Sequence, residues 1–244
     1  MPFVTALVAA AGKGRRLGLG YNKVFLHLKG RPLLSYSLEV LEKSPLVQAV
    51  IVVTAPGDVA KCWDVIGRGY AKSIRVVEGG EERQDSVSQG LKALPAETEF
   101  VAVHDAARPL VTQELLAAVV EAALETGAAI AAVPVQDTIK RSGTAGIVEG
   151  TVDREGLWAA QTPQVFRRDW LEEAHSRAML EGWRATDDAS LVERCGYPVR
   201  IVKGDYGNIK VTTPVDVILA TALLEARKRQ DWAFLGERRP GPYA

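Results

Sequence analysis

Cysteine is scarce in this chain, and so are long apolar runs. The two cysteines, Cys62 and Cys195, lie far apart among the 244 residues and fit no spacing that is typical of a metal site. We interpret both as reduced structural thiols, which predicts a protein of a reducing compartment. No apolar run approaches the roughly 18 residues that span a bilayer, and the first residues show no signal-peptide pattern. We therefore expect a cytoplasmic protein without a membrane partner.

Net charge is missing as well, because 30 basic residues balance 30 acidic ones. This balance argues against an extended basic surface, so we expect no nucleic-acid partner and only local anion sites. The chain also has no internal repeat and no linker rich in proline, glycine or serine. Its length, its 47% hydrophobic residues and the lack of a linker predict one domain over residues 1–230, which includes an arm at about 136–157. A frayed tail is expected over residues 231–244.

Short β-like runs alternate with amphipathic helical runs, which predicts an α/β fold with a Rossmann-like, mostly parallel sheet flanked by helices. The predicted strands cover residues 5–9, 47–54, 73–77, 100–103, 128–133 and 198–202. The longer predicted helices cover residues 32–43, 113–126, 167–180, 187–194 and 214–229. Thr112 and Thr186 are the expected caps of the second and fourth of these helices.

The first strand leads into a small-residue loop within VTALVAAAGKGRRLGLGYNK, at residues 4–23. Its small side chains let a ligand approach backbone N–H groups, which bind anions. The small residues are Ala10, Ala11, Gly12 and Gly14, and positive charge follows at Arg15, Arg16 and Lys23. The loop predicts a polyphosphate site, although a plain turn with basic neighbours is the simpler alternative.

Two competing glycine motifs do not fit this loop. A dinucleotide fingerprint needs glycine where the chain has Leu17 and an acid where it has Thr54. A Walker A loop needs a Gly-Lys-Ser/Thr triplet, which this loop lacks. The remaining pattern, G-x-G-x-R followed by Lys23, resembles the signature of sugar-phosphate nucleotidyltransferases.

A second glycine-rich corner, EGGEERQDSVS at residues 78–88, lies between the third strand and a helix. The pair Gly79-Gly80 lets a ligand approach the backbone, and Arg83, Asp85 and Ser86 lie near the helix start. A helix cap made by Asp85 or Ser86 would explain the same residues without any ligand.

The strand at residues 100–103 runs directly into HDAARP at 104–109. Asp105 is a candidate metal ligand, because strand ends face the crevice and Mg²⁺ prefers one or two carboxylates plus phosphate oxygens. The alternative is an Asp–Arg pair that fixes a turn. Arg108 could bind a substrate phosphate, whereas we interpret His104 as structural.

Helical periodicity breaks over residues 136–157, where β-branched residues alternate around a Ser142-Gly143 turn. This pattern predicts a two-stranded excursion, and an isolated hairpin is marginal in water. We therefore expect the arm to pack on another copy of the chain. Thr162-Pro163-Gln164 then returns the chain to the body, and the last sheet strand ends in a polar loop that contains Lys210.

Together these segments resemble the family of 2-C-methyl-D-erythritol 4-phosphate cytidylyltransferases of the non-mevalonate isoprenoid pathway. The resemblance spans nearly the whole chain and rests on AAGKGRR with Lys23, GGEERQDSV, VHDAARP, DTIKR, TVDREGLW with TPQ, Thr186-Asp187, and NIKVTTP. It implies Mg²⁺-assisted in-line attack of the methylerythritol phosphate on CTP, with pyrophosphate as the leaving group.

The resemblance also implies roles for single residues and an assembly. CTP would bind at Ala10, Ala11, Gly12, Gly14, Gly80, Glu81 and Ser86. The catalytic residues would be Arg16, Lys23, Arg154 and Lys210. The sugar phosphate would be handled by Asp105, Arg108, Thr138, Arg154, Thr162 and Lys210, with Asp105 also holding Mg²⁺. The implied assembly is a homodimer in which each β-arm reaches the other subunit's site.

Two positions depart from the family pattern. The family usually has proline before the lysine and glutamine after it, whereas this chain has Asn22 and Val24, which predicts a less rigid loop. An acid usually precedes Asn-Ile-Lys, whereas this chain has Gly207, with Asp205 as the nearest acid. Two alternatives to the main hypothesis are a cytidylyltransferase for ribitol 5-phosphate and a CTP-binding module that has lost catalysis.

Overall fold

A computed structural model of the chain describes residues 1–12, 14, 17–67 and 69–228. Its strands are β1 (Val4–Ala10), β2 (His27–Leu28), β3 (Arg31–Pro32), β4 (Ala49–Thr54), β5 (Ser73–Glu78), β6 (Phe100–Asp105), β7 (Ala128–Pro134), β8 (Ile139–Ser142), β9 (Val148–Val152), β10 (Trp158–Arg167) and β11 (Arg200–Lys203). Its α-helices are α1 (Leu33–Lys43), α2 (Val59–Ile66), α3 (Arg83–Leu91), α4 (Gln113–Thr126), α5 (Arg168–Glu181), α6 (Asp188–Arg194) and α7 (Pro214–Lys228).

The main sheet has seven strands in the order β11-β7-β10-β6-β1-β4-β5. Strands β6, β1, β4 and β5 pair in parallel, as do β7 and β11. Only β10 is antiparallel to its neighbours in this sheet, and it lies between β6 and β7. The predicted α/β fold with a mostly parallel, helix-flanked sheet is therefore confirmed.

Both faces of the sheet are covered, which explains why its central strands are apolar throughout. Along β1, Ala6 and Val8 pack into one core cluster with Leu38 of α1, whereas Leu7 packs into the opposite cluster with Val87 of α3. This alternation follows from the two-residue period of a strand. The carboxyl end of β1 is thus held between two helical layers.

The strand β10 was not predicted. Its central residues Gln161, Thr162 and Gln164 are polar, yet they are only 7%, 3% and 1% exposed. Their side chains hydrogen-bond within the protein, for example from Gln164 Nε2 to Asp187 Oδ2 at 2.8 Å. A buried strand that satisfies polar groups in this way lacks the apolar pattern by which strands are recognised.

Helix starts were predicted with mixed success. The cap of α4 by Thr112 is confirmed, because its side chain accepts a hydrogen bond from the Leu115 N–H. The prediction for α6 was wrong by one residue: Asp187, not Thr186, accepts from the Ser190 N–H. The short side chain of Asp187 reaches the N–H groups at the start of α6 directly. At α3 the capping residue is Glu82, and Asp85 completes a capping box with it.

The predicted two-stranded excursion is confirmed as the β8–β9 hairpin, which we call the β-arm. Ile147 and Val148 are 71% and 58% exposed, so the tip of the β-arm adds little to this chain's core. The predicted tail at 231–244 lies outside the described residues. Within the described part of the chain, no helix has the length and apolar character needed to cross a membrane.

Candidate active site

A crevice of about 360 Å³ opens where β1 and β6 end and α3 begins. Ala9 of β1 lies beside Asp105 of β6 in the parallel register, so the crevice is at the carboxyl edge of the sheet, where α/β proteins bind ligands. Its volume falls within the range of about 300–1,000 Å³ typical of small-molecule sites. The lining residues are Ala9, Ala11, Gly12, Gly14, Lys23, Val24, Glu81, Glu82, Arg83, Ser86, Asp105, Ala107, Lys210 and Thr212.

Asp105 is a buried carboxylate that lines this crevice, and it carries two ion pairs. Lys210 Nζ lies 2.6 Å from Oδ2, and Arg83 Nε lies 3.0 Å from Oδ1. Burial works against the charge of Asp105, but Arg83 and Lys210 outweigh it and hold its pKa well below the usual range. Asp105 is therefore ionised at neutral pH.

The backbone of Asp105 is fixed by Thr162, whose Oγ1 accepts its N–H at 3.0 Å. The same hydroxyl lies 3.1 Å from His104 Nδ1, and His104 Nε2 lies 3.3 Å from the Arg108 carbonyl. Since a carbonyl only accepts, Nε2 carries the hydrogen, and Thr162 donates to Nδ1. Burial lowers the pKa of His104 to about 4, so this imidazole is neutral at pH 7. The interpretation of His104 as structural agrees with this geometry.

Arg108 connects the end of β6 to the loop that carries Lys210. Its Nη1 donates to the Asn208 carbonyl at 2.8 Å, and the Asn208 side chain donates to the Thr162 carbonyl at 2.9 Å. Burial lowers the pKa of Arg108. Val211 donates its N–H to the Ala107 carbonyl at 2.8 Å, which places Lys210 beside Asp105.

Lys23 enters the crevice from a short 3₁₀ turn, Lys23–Phe25. Its Nζ donates to the Val211 carbonyl at 3.0 Å, so Lys23 and Lys210 line the same crevice although 186 residues lie between them in the sequence. Asn22 is 5% exposed and donates from Nδ2 to the Ala10 carbonyl at 2.6 Å. Its Oδ1 accepts from the Val24 N–H at 3.3 Å. Asn22 thus ties the turn to the end of β1, where the sequence predicted a looser loop.

Two glycines, Gly14 in the crevice and Gly80 next to it, occupy positions where a side chain would not fit. Gly14 has a φ of 63°, and a Cβ there would lie 3.0 Å from the Tyr21 carbonyl oxygen. At Gly80 a Cβ would lie 2.4 Å from the Cβ of Asp85. The Gly80 N–H donates to Ser86 Oγ at 3.2 Å, so the second corner folds back on its own helix start.

The structure brings together many of the predicted site residues and separates a few. Lining the crevice are Ala11, Gly12, Gly14, Lys23, Glu81, Ser86, Asp105 and Lys210. Adjacent but not lining it are Ala10, Gly80, Arg108 and Thr162. Arg16 lies outside the described residues. Thr138 and Arg154 flank the base of the β-arm, and neither lines this chain's crevice. Arg154 Nη1 donates to the Gln136 carbonyl.

Asp205 does not line the crevice either. Its Oδ1 accepts from the Gly207 N–H at 2.7 Å, and its Oδ2 lies 3.4 Å from Arg227 Nη2. Asp205 therefore closes a turn onto the backbone of Gly207.

The donor set of the crevice is compatible with Mg²⁺. Among the residues that the structure describes, no three His, Cys, Asp or Glu side chains come together as a metal cluster. Mg²⁺ usually binds through one or two carboxylates plus substrate phosphates, and Asp105 supplies one carboxylate. An ionised carboxylate has about four acceptor positions, so its two ion pairs leave room for a metal.

Comparison with known proteins decides the family. The family model described as IspD, 2-C-methyl-D-erythritol 4-phosphate cytidylyltransferase, matches residues 4–226. A protein of that name from Symbiobacterium thermophilum is 48% identical over 227 residues, covering 93% of this chain and 95% of the relative. The chain belongs to the 2-C-methyl-D-erythritol 4-phosphate cytidylyltransferase family. The ribitol 5-phosphate alternative is not favoured.

Solved structures of this family share the fold. A 4-diphosphocytidyl-2C-methyl-D-erythritol synthase from Anaerococcus prevotii superposes with a TM-score of 0.81 at 31% identity, covering 91% of this chain and 98% of its own. The cytidylyltransferase from Thermus thermophilus gives a TM-score of 0.75 at 37% identity, covering 90% of this chain and 98% of its own.

Sequence reasoning did not assign several lining residues of this cytidylyltransferase-family crevice. Ala9, Val24, Glu82, Ala107 and Thr212 lie within two positions of residues that were named, so extending each motif by two residues would have included them. Arg83 was noticed near a helix start but given no role. The signal for Arg83 would have been its position at the second glycine corner, opposite Asp105.

Proposed function

We propose that this chain joins CTP and 2-C-methyl-D-erythritol 4-phosphate to give 4-diphosphocytidyl-2-C-methyl-D-erythritol and pyrophosphate. A phosphate oxygen of the sugar forms a bond to the α-phosphorus of CTP, and the bond from that phosphorus to the bridging oxygen of pyrophosphate breaks. The nucleophile is already an anion, so no covalent enzyme intermediate and no strong general base are needed. The main obstacle is repulsion between the sugar phosphate and the triphosphate.

The observation that carries this proposal is the meeting of Lys23, Lys210 and Asp105 in one crevice beside a small-residue loop. Lys23 Nζ donates to the carbonyl of Val211, the neighbour of Lys210, and Lys210 Nζ lies 2.6 Å from Asp105. Two lysines at that spot fit a ligand with concentrated negative charge, and the backbone of the loop fits phosphate oxygens.

Lys210 is the group that changes partner in this mechanism. Its side chain is 35% exposed, whereas Asp105 is 8% exposed, so the lysine can turn toward an entering phosphate while the carboxylate stays in place. With Lys23, and with Arg16 as the resemblance implies, it would stabilise charge on the α-phosphate as the pyrophosphate leaves. The cytosine would lie near Gly80, Glu81 and Ser86.

Asp105 would hold a Mg²⁺ ion in the loaded enzyme. When bound, such an ion neutralises triphosphate charge and acts as a Lewis acid at a phosphoryl oxygen. The residues of the chain have separate tasks: Thr162 fixes the backbone of Asp105, and Arg108 holds the loop that carries Lys210. We include Arg108 and Thr162 in the sugar-phosphate side of the site on the family resemblance.

The β-arm would complete the site of a second copy. Thr138 and Arg154 do not line the crevice of their own chain, and the arm's apolar tip residues are exposed. A homodimer in which the arms are exchanged would bury that tip and bring Arg154 to the sugar phosphate.

The test is pyrophosphate release from the purified chain with each of the four nucleoside triphosphates, combined with several sugar phosphates. We expect turnover with CTP and 2-C-methyl-D-erythritol 4-phosphate, and much slower turnover with ribitol 5-phosphate. CTP binding without pyrophosphate release would instead identify a non-catalytic CTP-binding protein, and preference for ribitol 5-phosphate would identify the related activity.

A further inference from the structure

Behind Asp105 lies a chain of buried charges that the proposed mechanism does not use. Arg83, the first residue of α3, reaches Asp105 with Nε at 3.0 Å and Asp188 with Nη1 at 2.7 Å. Asp188 in turn lies 3.0 Å from His175 Nε2. These side chains come from four elements, with α3 and β6 in one part of the sequence and α5 and α6 in a distant part.

The cations at the crevice are partly exposed, whereas the anion at the far side of Arg83 is fully buried. The side chain of Lys210 is 35% exposed and that of Arg83 is 24% exposed, whereas that of Asp188 is 1% exposed. Burial alone would lower the pKa of Arg83, yet Asp188 and Asp105 outweigh it and raise that pKa. Arg83 is therefore held by an anion that solvent and ligand do not reach.

The two cations that pair with Asp105 therefore differ in how readily they can move away from it. Lys210 binds one carboxylate oxygen and is free to move toward a phosphate, but Arg83 cannot leave without stranding the buried charge of Asp188. His175 Nε2 must donate its hydrogen to Asp188, because a carboxylate only accepts, and this anchors the far end. Arg83 also keeps a spare donor, since its buried Nη2 has no hydrogen-bond partner among the described residues.

We propose that Arg83 is a positioning residue for the nucleotide site: braced by Asp188 and His175, it holds the Asp105 carboxylate in its binding orientation when Lys210 turns to the phosphate. This inference rests on the proposed function. Without Arg83, the Asp105 carboxylate would have neither of its two ion-pair partners at the moment when Lys210 leaves. Residues that orient a metal ligand in this way typically contribute about 10- to 100-fold to affinity or activity.

The test is a double-mutant cycle between positions 83 and 105, read by calorimetric binding of CTP in the presence of Mg²⁺. Arg83→Met should weaken CTP binding about 10- to 100-fold in the wild-type background. In the Asp105→Asn background the same change should alter binding by no more than about twofold, because the group that Arg83 orients is gone.

Two further variants keep the test decisive. Arg83→Lys retains a positive charge between Asp105 and Asp188, so this variant should fold. A single ammonium group cannot contact both carboxylates as the forked guanidinium does, so we expect roughly tenfold weaker CTP binding. Arg184→Met removes another arginine next to α3, one that pairs with Asp85 at 3.3 Å outside the crevice, and should leave binding unchanged. Thermal unfolding of every variant shows that the folded protein is being compared.

The outcomes separate this inference from the proposed function. If wild type binds CTP with Mg²⁺ and the changes at position 83 cost the same factor in both backgrounds, Arg83 acts independently of Asp105 and the positioning role is wrong. If wild type binds no CTP at all, the proposed function fails and the inference fails with it. Loss of the position-83 effect in the Asp105→Asn background supports the inference.

Discussion

In the crevice, the side chain of Asp105 is 8% exposed and carries ion pairs with Lys210 and Arg83, whereas in the β-arm Ile147 and Val148 are 71% and 58% exposed. Contacts from several elements hold the side chains of the crevice in place, so they are oriented before any ligand binds. The arm has its shape from one hairpin ladder and little else. The difference fits the proposal that one chain builds the nucleotide half of the site and that its β-arm completes the site of a second copy.

The largest effect should come from removing a crevice lysine. Replacing Lys23 or Lys210 by methionine keeps much of the stem but removes the charge, so kcat should fall by at least about 10²-fold for each, comparable to losing one preorganised donor. Steady-state kinetics with matched thermal unfolding curves measures this. Near-normal turnover in either variant would show that its lysine only supports structure.

A smaller and more selective effect is expected from Asp105→Asn. If Asp105 holds Mg²⁺, the variant should lose CTP affinity about 10- to 100-fold in Mg²⁺ but change little in its absence. Calorimetric titration with and without Mg²⁺ compares the two conditions. An equal loss in both would favour the alternative in which Asp105 fixes a turn through Arg108 and the neighbouring backbone.

The buried histidine behind the crevice predicts a pH effect that the exposed arm does not share. Burial lowers the pKa of His104 from 6.5 to about 4. Between these two pH values, His104 is mostly protonated in the unfolded chain but neutral in the folded chain. The free energy of unfolding is therefore not reduced by His104 above about pH 6.5. It decreases as the pH falls toward 4, by about 2 kcal/mol at pH 5. Asp105 and Asp188 have lowered pKa values and act only at lower pH.

Denaturant unfolding at pH 7.5 and pH 5 checks this for wild type and His104→Gln. The variant should lose about 2 kcal/mol less than wild type between the two pH values. Equal losses would mean that His104 is protonated in the folded chain.

The smallest effect concerns the turn that presents Lys23. Asn22 already has a φ of −65°, which is the value that proline fixes, and its side chain makes two hydrogen bonds. Asn22→Ala should cost about 1 kcal/mol, because it removes the hydrogen bonds without constraining the backbone. Asn22→Pro, the usual family residue, should cost less. A larger loss in the proline variant would show that the side-chain bonds alone hold the turn.

Much of this fold was predictable because its strands are apolar and its helices have clear stripes. The helix at residues 113–126 was predicted with the bounds that α4 has. Strand β10 was missed because buried Gln161, Thr162 and Gln164 satisfy one another and their neighbours through hydrogen bonds, which no local pattern reveals. Asp105 was found by strand-end logic, whereas the link from Arg83 to Asp188 spans 105 residues and appears only in the folded chain.

The role of the β-arm follows neither from the sequence nor from the structure of a single chain. The hairpin itself followed from alternating β-branched residues, but Thr138 and Arg154 lie away from the crevice of their own chain. Their roles, the homodimer and the Mg²⁺ ion therefore stay predictions.

The most direct measurement mixes two inactive variants, Lys210→Met in the crevice and Arg154→Ala in the arm. If the arm serves the neighbouring subunit, each mixed dimer has one site with both defects and one wholly intact site. Random subunit exchange makes half of the dimers mixed, so about a quarter of wild-type activity should return. Mixing Lys23→Met with Lys210→Met, two crevice variants, is the control and should restore nothing. Verified mixed dimers of the first pair that stay inactive would contradict the account, since Arg154 would then serve its own chain.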